Sequence, residues 1–278
     1  MKPPKPTVYL AFGVGTVQPL AERPSLLAEV FDGFPAALVP THVGFYEPIR
    51  TKFRLEDQEA LLSPCWSPRG DLAHFVYRGD VRGFGSLATR RGRGIESNRL
   101  VLRLQYERAW RRNLVRYVQP LLARAMDCAD ASAGFATVYS DYPGGDMYVD
   151  HKPGPVELMG VAIGNQAVAG AGLVCIHPFA WLNVFGEEYS EYIGRQRLMS
   201  LDVFDSWEDA RKRIWIKMCE WPHELYEPEL LAHRDALVAS LNLGEALCDQ
   251  GRLVDYRWVH TGPEFDRSQL RQIGSEES

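Results

Sequence analysis

The sequence predicts an α+β fold in which an antiparallel sheet packs against amphipathic helices. Short segments rich in β-forming residues follow one another with glycine-rich links, and helical periodicity is confined to other stretches. The chain has 278 residues and is 46% hydrophobic, which is enough for a large buried core. We therefore expect one domain over residues 1–278, with a loose subdivision near residues 140–154 and a mobile tail at 274–278.

The amino-terminal part predicts a strand, a helix and a long connection. Residues 7–12 are an apolar run of β-formers, and the glycines of Gly13-Val14-Gly15 predict a turn after them. Residues 23–31 have a proline near their start and apolar residues at helical spacing, which predicts a helix. Several prolines interrupt residues 39–70, so we expect long connections there with one helical piece at residues 55–62.

The middle of the chain predicts three consecutive antiparallel strands and a helix. The strands are expected at residues 74–78, 84–90 and 100–106, and leucines alternate with other residues in the third. Residues 109–128 carry apolar residues on one helical face and arginines on the other. Pro120 lies within this stretch, so we expect the helix to kink or restart there.

A further short strand at residues 135–139 is followed by the strongest loop pattern of the chain, at 140–154. Asp146, Asp150 and His151 in this loop are residue types that serve in acid–base catalysis or metal binding. An enzyme that uses them is one alternative function. Loops of soluble proteins often carry such residues for solvation alone, and we expect a protein that is not an enzyme.

Other enzyme signatures are weak in this sequence. Gln18 stands where the dinucleotide fingerprint begun by Gly13 and Gly15 needs its third glycine. The sequence has no phosphate-binding loop, no G-x-S-x-G nucleophile motif and no histidine pair at helical metal-ligand spacing. We therefore predict no catalytic, cofactor-binding or metal-binding residues and no cofactor.

Cysteine content and hydropathy predict a cytoplasmic protein. The five cysteines are odd in number and widely scattered, which does not suggest a disulfide framework. The amino terminus lacks the apolar core of a secretory signal, and no stretch reaches the roughly 18 apolar residues of a membrane span. We expect no membrane association.

Charge is unevenly distributed along the chain, although the net charge is only −5. Residues 69–116 contain twelve arginines against four acids, whereas residues 187–249 contain fourteen acids against seven bases. The segment from Arg90 to Arg116 suggests a nucleic-acid-binding protein as a second alternative. The negative net charge and the absence of a recognised module argue against it, and we expect no direct nucleic-acid contact.

The stretch 177–194 carries sequence patterns typical of both ends of a helix. Pro178 suits the first turn and Gly194 the position after the last. Aromatic residues recur at helical spacing from Trp181 onward, and such a stripe is expected to pack on the sheet.

The same stretch resembles a known family. The pattern consists of Trp181, Asn183, Phe185, Gly186, Tyr189, Gly194 and Arg195. It is similar to bacterial type VI secretion immunity proteins related to the immunity protein 52 family. The resemblance implies a cytoplasmic antidote encoded beside a secreted toxin, commonly a nuclease of restriction-endonuclease fold. It implies no catalytic residues.

The acidic segment after this motif is the expected contact surface for the toxin. A nuclease presents a positive groove to DNA, so a negative patch on an inhibitor would be attracted to it, and aromatic residues among the acids would anchor the complex. A simple solvated face is the alternative interpretation. The candidate toxin-binding residues are Asp202, Asp205, Trp207, Glu208, Asp209, Glu224, Tyr226 and Glu227.

Overall fold

A computed structural model of the protein describes residues 7–16, 20–67, 70–92, 95–141 and 180–241. The strands of this part are β1 (Thr7–Thr16), β2 (His42–Gly44), β3 (Thr51–Lys52), β4 (Leu72–Tyr77), β5 (Gly83–Gly92), β6 (Ile95–Gln105), β7 (Ala133–Asp141), β8 (Leu182–Phe185), β9 (Asp205–Glu208) and β10 (Ile214–Lys217). Its α-helices are α1 (Leu26–Phe31), α2 (Gln58–Leu61), α3 (Tyr106–Arg111), α4 (Val118–Cys128), α5 (Glu187–Ile193), α6 (Arg195–Met199) and α7 (Pro228–Ser240). Short 3₁₀ helices occupy Leu20–Glu22, Ala36–Leu38, Leu55–Asp57, Val115–Tyr117 and Glu224–Tyr226.

The strands described here form one ten-stranded sheet in the order β3-β2-β4-β5-β6-β1-β7-β8-β10-β9. Every neighbouring pair is antiparallel, which confirms the predicted α+β class. Strand β1 lies near the middle, where Phe12 pairs with Leu102 on one side and with Ala136 on the other. The edges of the sheet are the two-residue strand β3 and the four-residue strand β9.

Several sequence predictions are confirmed. Strands β4, β5 and β6 are the expected antiparallel series, and α1 and α2 lie within the predicted helical segments. The stretch 109–128 contains the end of α3, a 3₁₀ turn and then α4, with Pro120 in the first turn of α4. A proline fits there because the first N–H groups of a helix have no intrahelical acceptor.

The predicted turn at Gly13–Gly15 is wrong, because β1 continues to Thr16. A Cβ atom at Gly13 would lie 2.6 Å from the carbonyl oxygen of Leu100 on β6. Glycine therefore permits a close approach of two central strands at this position.

The predicted helix over 177–194 is wrong in its first half. Leu182–Phe185 is strand β8, paired with β7 and β10, and α5 begins only at Glu187. All four residues of β8 are buried, as in a strand covered on both faces, so the run has no polar alternation. The end of the helix is confirmed, because Gly194 follows α5 with φ +103°. Residues 177–179 lie outside the described residues.

Helices cover both faces of the sheet near β9. On one face, a Cβ at Gly134 would meet Leu122 and Met126 of α4. Residues paired across neighbouring strands have their side chains on the same face of a sheet. Gly134 pairs with Val184, Val184 with Trp215, and Trp215 with Trp207 on the edge strand β9, so all four lie on the face that α4 covers. We call this the α4 face. Helices α5 and α6 pack against β8, β10 and β9 on the opposite face.

Two sequence predictions fall on parts of the chain that the structure does not describe. The loop residues Asp146, Asp150 and His151 lie outside the described residues, as does the tail at 274–278.

Candidate protein-interaction surface

The edge strand β9 divides the predicted toxin-binding residues between two faces. Its register with β10 pairs Asp205 with Lys217 and Trp207 with Trp215, so these side chains lie on the α4 face. Glu208, an odd number of residues away, lies on the opposite face. The acids of this strand therefore do not form one patch.

Two stacked tryptophans form the wall of a groove on the α4 face. The rings of Trp207 and Trp215 are 5.5 Å apart with an interplanar angle of 12°. Together with α4 residues such as Pro120 and Ala123, they line an open groove of about 380 Å³. Trp207 is half-buried, so part of its ring is available to solvent.

An ionic network holds the β9–β10 hairpin beside this groove. Asp209 accepts hydrogen bonds from the Arg213 Nε atom at 2.7 Å and from the Trp215 Nε1 atom at 2.9 Å. Its other oxygen accepts the backbone N–H groups of Arg211 and Arg213. Arg213 also reaches Asp127 of α4 at 2.8 Å, and Arg211 reaches the same carboxylate at 3.2 Å. The hairpin is thus tied to α4 through charges.

The network explains the acidity of Asp209. Burial opposes ionisation of this carboxyl group, but the hydrogen bonds from Trp215 and Arg213 and the charge of Arg213 outweigh it, so its pKa is lowered. Asp209 is therefore a charged group that is already hydrogen-bonded within the protein. Among the candidate toxin-binding residues it has a clear structural role.

Glu208 is paired as well. Its carboxylate lies 2.6 Å from the guanidinium of Arg195, which also donates to the carbonyl of Lys212. Arg195 belongs to the family-like motif, and this contact connects α6 to the hairpin. Both acids of β9 are exposed, but Glu208 is paired with Arg195, whereas Asp205 lies on the α4 face.

Sequence reasoning did not select Phe204 as a site residue. Its side chain is 56% exposed and lies between the exposed acids Asp202 and Asp205. The ammonium of Lys217 lies 5.0 Å from the Phe204 ring centroid and 5.9 Å from that of Trp181. A large apolar residue within a run of acids is the pattern that could have identified it. We call Asp202, Phe204, Asp205 and Trp207 the β9 edge surface.

Four other members of the family-like motif, Trp181, Asn183, Phe185 and Gly186, have structural roles. The Trp181 indole donates to the Cys219 carbonyl at 3.0 Å, and the Asn183 amide bonds both backbone groups of Ala180. Phe185 is 1% exposed, and a Cβ at Gly186 would lie 2.6 Å from the Ser132 carbonyl oxygen. The side chain of Tyr189 lies outside those the structure describes.

Glu224, Tyr226 and Glu227 belong to a separate cluster beside α3. Glu224 accepts the Trp221 backbone N–H at 2.9 Å, which closes a local turn. His223 of the same turn contacts the hydroxyl of Tyr106 through Nδ1 at 2.8 Å, and burial lowers the pKa of this histidine. Glu227 is half-buried, and the side chain of Tyr226 is not among those described.

This cluster also contains a pair of tryptophans and a buried thiol. Trp110 of α3 packs edge-on against Trp221, with ring centroids 4.9 Å apart. Burial raises the pKa of the Cys219 thiol to about 12, so it is a poor nucleophile. Cys65 and Cys128 are also buried free thiols. We infer that the cluster packs α3 against the segment after β10.

The arginines of α3 and its surroundings are engaged in local contacts. Arg111 pairs with Glu107 at 2.7 Å, and Arg112 pairs with Asp80 at 2.5 Å. Arg108 donates to the carbonyls of residues 79 and 80. The ion pairs of Arg111 and Arg112 offset part of the positive charge that suggested nucleic-acid binding. The side chains of residues 90–97 are not described.

Among the described residues, no group of three or more His, Cys, Asp or Glu side chains is arranged to hold a metal ion. No helix in this part of the chain has the length and hydropathy needed to cross a membrane.

The fold and surface define an α+β protein with one large antiparallel sheet and an acidic, aromatic edge. A solved structure with a similar fold is the Pseudomonas aeruginosa T6SS protein PA0821, at a TM-score of 0.53. The similarity covers 86% of this chain and 73% of that chain, with 11% sequence identity, and so concerns the fold. No family model matches the chain, and no curated protein does.

Proposed function

We propose that the chain is an immunity protein that binds and neutralises a cognate toxin of the type VI secretion system, with no enzymatic activity of its own. The observation that carries the proposal is the β9 edge surface, where an exposed phenylalanine and a half-exposed tryptophan accompany two exposed acids. Two resemblances support the proposal. The fold resembles that of a T6SS protein, and the sequence from Trp181 to Arg195 resembles an immunity family.

The chemistry of the β9 edge surface suits a positively charged protein partner. Exposed carboxylates at Asp202 and Asp205 would accelerate association with a basic groove through long-range attraction. Phe204 and Trp207 would then lose contact with water and slow dissociation, since aromatic residues often dominate binding energy. A nuclease, the toxin class that the family resemblance implies, has such a groove.

The test is a protection assay. Each open reading frame that flanks the gene is expressed alone and with the chain, and we expect one of them to kill cells unless the chain is present. The double variant Asp202→Lys/Asp205→Lys should lose protection and bind the purified toxin at least about tenfold more weakly, with a smaller salt dependence.

The matched control is Glu56→Lys/Glu59→Lys. It makes the same change of charge at exposed residues of the segment that follows β3, the strand at the other edge of the sheet from β9. This control should protect like the wild type. Equal loss in both variants would mean that net charge matters and the β9 edge surface does not. If no flanking reading frame is toxic, the immunity proposal is rejected.

A further inference from the structure

The hydrogen-bond pattern of β9 determines which backbone groups face outward. The N–H of Asp209 donates to the carbonyl of Arg213 at 3.0 Å, which fixes these two residues as a hydrogen-bonded pair. In an antiparallel ladder such pairs alternate, so Asp205 and Trp207 also bond to β10. The N–H and C=O groups of Ser206 and Glu208 therefore point away from β10.

These outward groups have no backbone partner among the described residues. The edge thus presents two backbone N–H donors and two backbone C=O acceptors, from Ser206 and Glu208. Proteins usually cover such an edge or use it for binding. At the other edge of the sheet, β3 is only two residues long and offers less backbone. The β9 edge is thus the better place for an added strand.

From this geometry we infer that β9 accepts an extended segment of the partner protein as an additional strand of the sheet. The inference rests on the proposed function and specifies how the partner binds. Backbone bonds to Ser206 and Glu208 would give affinity, and side chains on the α4 face would give selectivity.

Charge and shape on the α4 face indicate the sequence of the added strand. A residue beside Asp205 would meet an exposed carboxylate, which favours lysine or arginine. A residue beside Trp207, two positions away, would lie on the half-exposed indole and favours an apolar side chain. The inferred occupant is therefore a segment in which a basic residue beside Asp205 and an apolar residue beside Trp207 alternate on the α4 face, two positions apart in its sequence.

A second copy of this chain fits less well. If Ser206 and Glu208 of one copy paired with Glu208 and Ser206 of another, Asp205 of each copy would lie opposite Asp209 of the other on the α4 face. Like charges across a ladder are destabilising. A partner segment with basic residues carries the opposite charge to the acids of β9 and would be attracted to them.

The probe is a phage-displayed library of random dodecapeptides, selected against the purified full chain. The test variant is Ser206→Pro, which removes an outward N–H without removing a bond to β10. The matched control is Ser206→Ala, which keeps that N–H and loses only the weak contact of the hydroxyl with the Met199 carbonyl. We expect selected peptides to show the alternation of basic and apolar residues.

These peptides should bind wild type and Ser206→Ala alike, and Ser206→Pro about five- to tenfold more weakly, as expected for one lost hydrogen bond. Hydrogen exchange of the wild type provides a second measurement that does not depend on the folding of the proline variant. The bound peptide should slow exchange at the amides of Ser206 and Glu208.

Three results would overturn the inference. The first is that no selected peptide shows this alternation, and the second is that the peptides bind Ser206→Pro as tightly as wild type and leave hydrogen exchange at Ser206 and Glu208 unchanged. The third is that the wild-type chain sediments as a dimer and that Ser206→Pro dissociates this dimer. The dimer would assign the edge to a second copy. None of these results depends on the toxin, so the protection assay still tests the proposed function separately.

Discussion

The carboxylate of Asp209 is the best single position at which to test how the β9–β10 hairpin is held. The side chain of Asp209 is 19% exposed and that of Arg213 is 9% exposed, so their 2.7 Å ion pair is shielded from water. The substitution Asp209→Asn keeps the shape but removes the charge. It also places an NH₂ group where donors from Arg213 and Trp215 now converge.

We expect Asp209→Asn to lower the free energy of unfolding by about 3 kcal/mol. Breaking a buried pair costs roughly 3–5 kcal/mol, because it leaves a buried charge without its partner. The lower end applies here because Arg213 keeps its contact with Asp127 at 2.8 Å. Urea unfolding followed by tryptophan fluorescence and by circular dichroism measures the change.

The matched control is Asp205→Asn, an exposed acid on the same hairpin, which should change the free energy of unfolding by no more than about 0.5 kcal/mol. If Asp209→Asn costs less than about 1 kcal/mol, or no more than the control, the hairpin is not held by this network. In that case the assignment of Asp209 as a structural residue is wrong.

Two further predictions concern pH and backbone packing. Because the pKa of Asp209 is lowered in the folded protein from the ordinary value of 3.8, its stabilising contribution is complete above that pH and lost as pH falls through the folded-state pKa. The stability difference between wild type and Asp209→Asn should therefore shrink below about pH 4, and a difference that stays constant in urea titrations down to pH 2.5 would contradict this cause. Gly13→Ala should destabilise the protein by about 2 kcal/mol, because its Cβ would lie 2.6 Å from the Leu100 carbonyl oxygen. Gly44→Ala, whose Cβ would meet Ile49 at 3.4 Å, should cost much less. Thermal unfolding of both variants measures the two losses, and similar losses would refute the steric argument.

The fold class and the central strands could be predicted from sequence because their patterns are local. Leucines alternate along β6, and glycine-rich links separate β4, β5 and β6. Strand β8 could not be predicted in this way. Trp181 and Phe185 are four residues apart, which matches a helical repeat, and only pairing with β7 and β10 makes the segment a strand. That pairing joins distant parts of the chain, so no local pattern records it.

The candidate surface could be located by composition but not resolved into its parts. The sequence shows a run of acids from Asp202 to Asp209, and all of them contribute to the negative charge of the segment. It does not show that Arg213 pairs with both Asp209 and Asp127, or that Arg195 pairs with Glu208. Asp127 lies on α4 and Arg195 on α6, and the fold brings these two helices to the hairpin from opposite faces.

Two kinds of acid are therefore present on and around one short strand, and they have different roles. Asp209 and Glu208 use their charge within the protein, to fix the hairpin between α4 and α6. This fixation gives the edge of β9 a defined position before any partner binds, so less conformational entropy is lost on association. Asp202 and Asp205 stay exposed beside that rigid edge. Removal of the charge of Asp209 or Glu208 should therefore weaken partner binding indirectly, by loosening the hairpin. Removal of the charge of Asp202 or Asp205 should weaken it without any loss of stability.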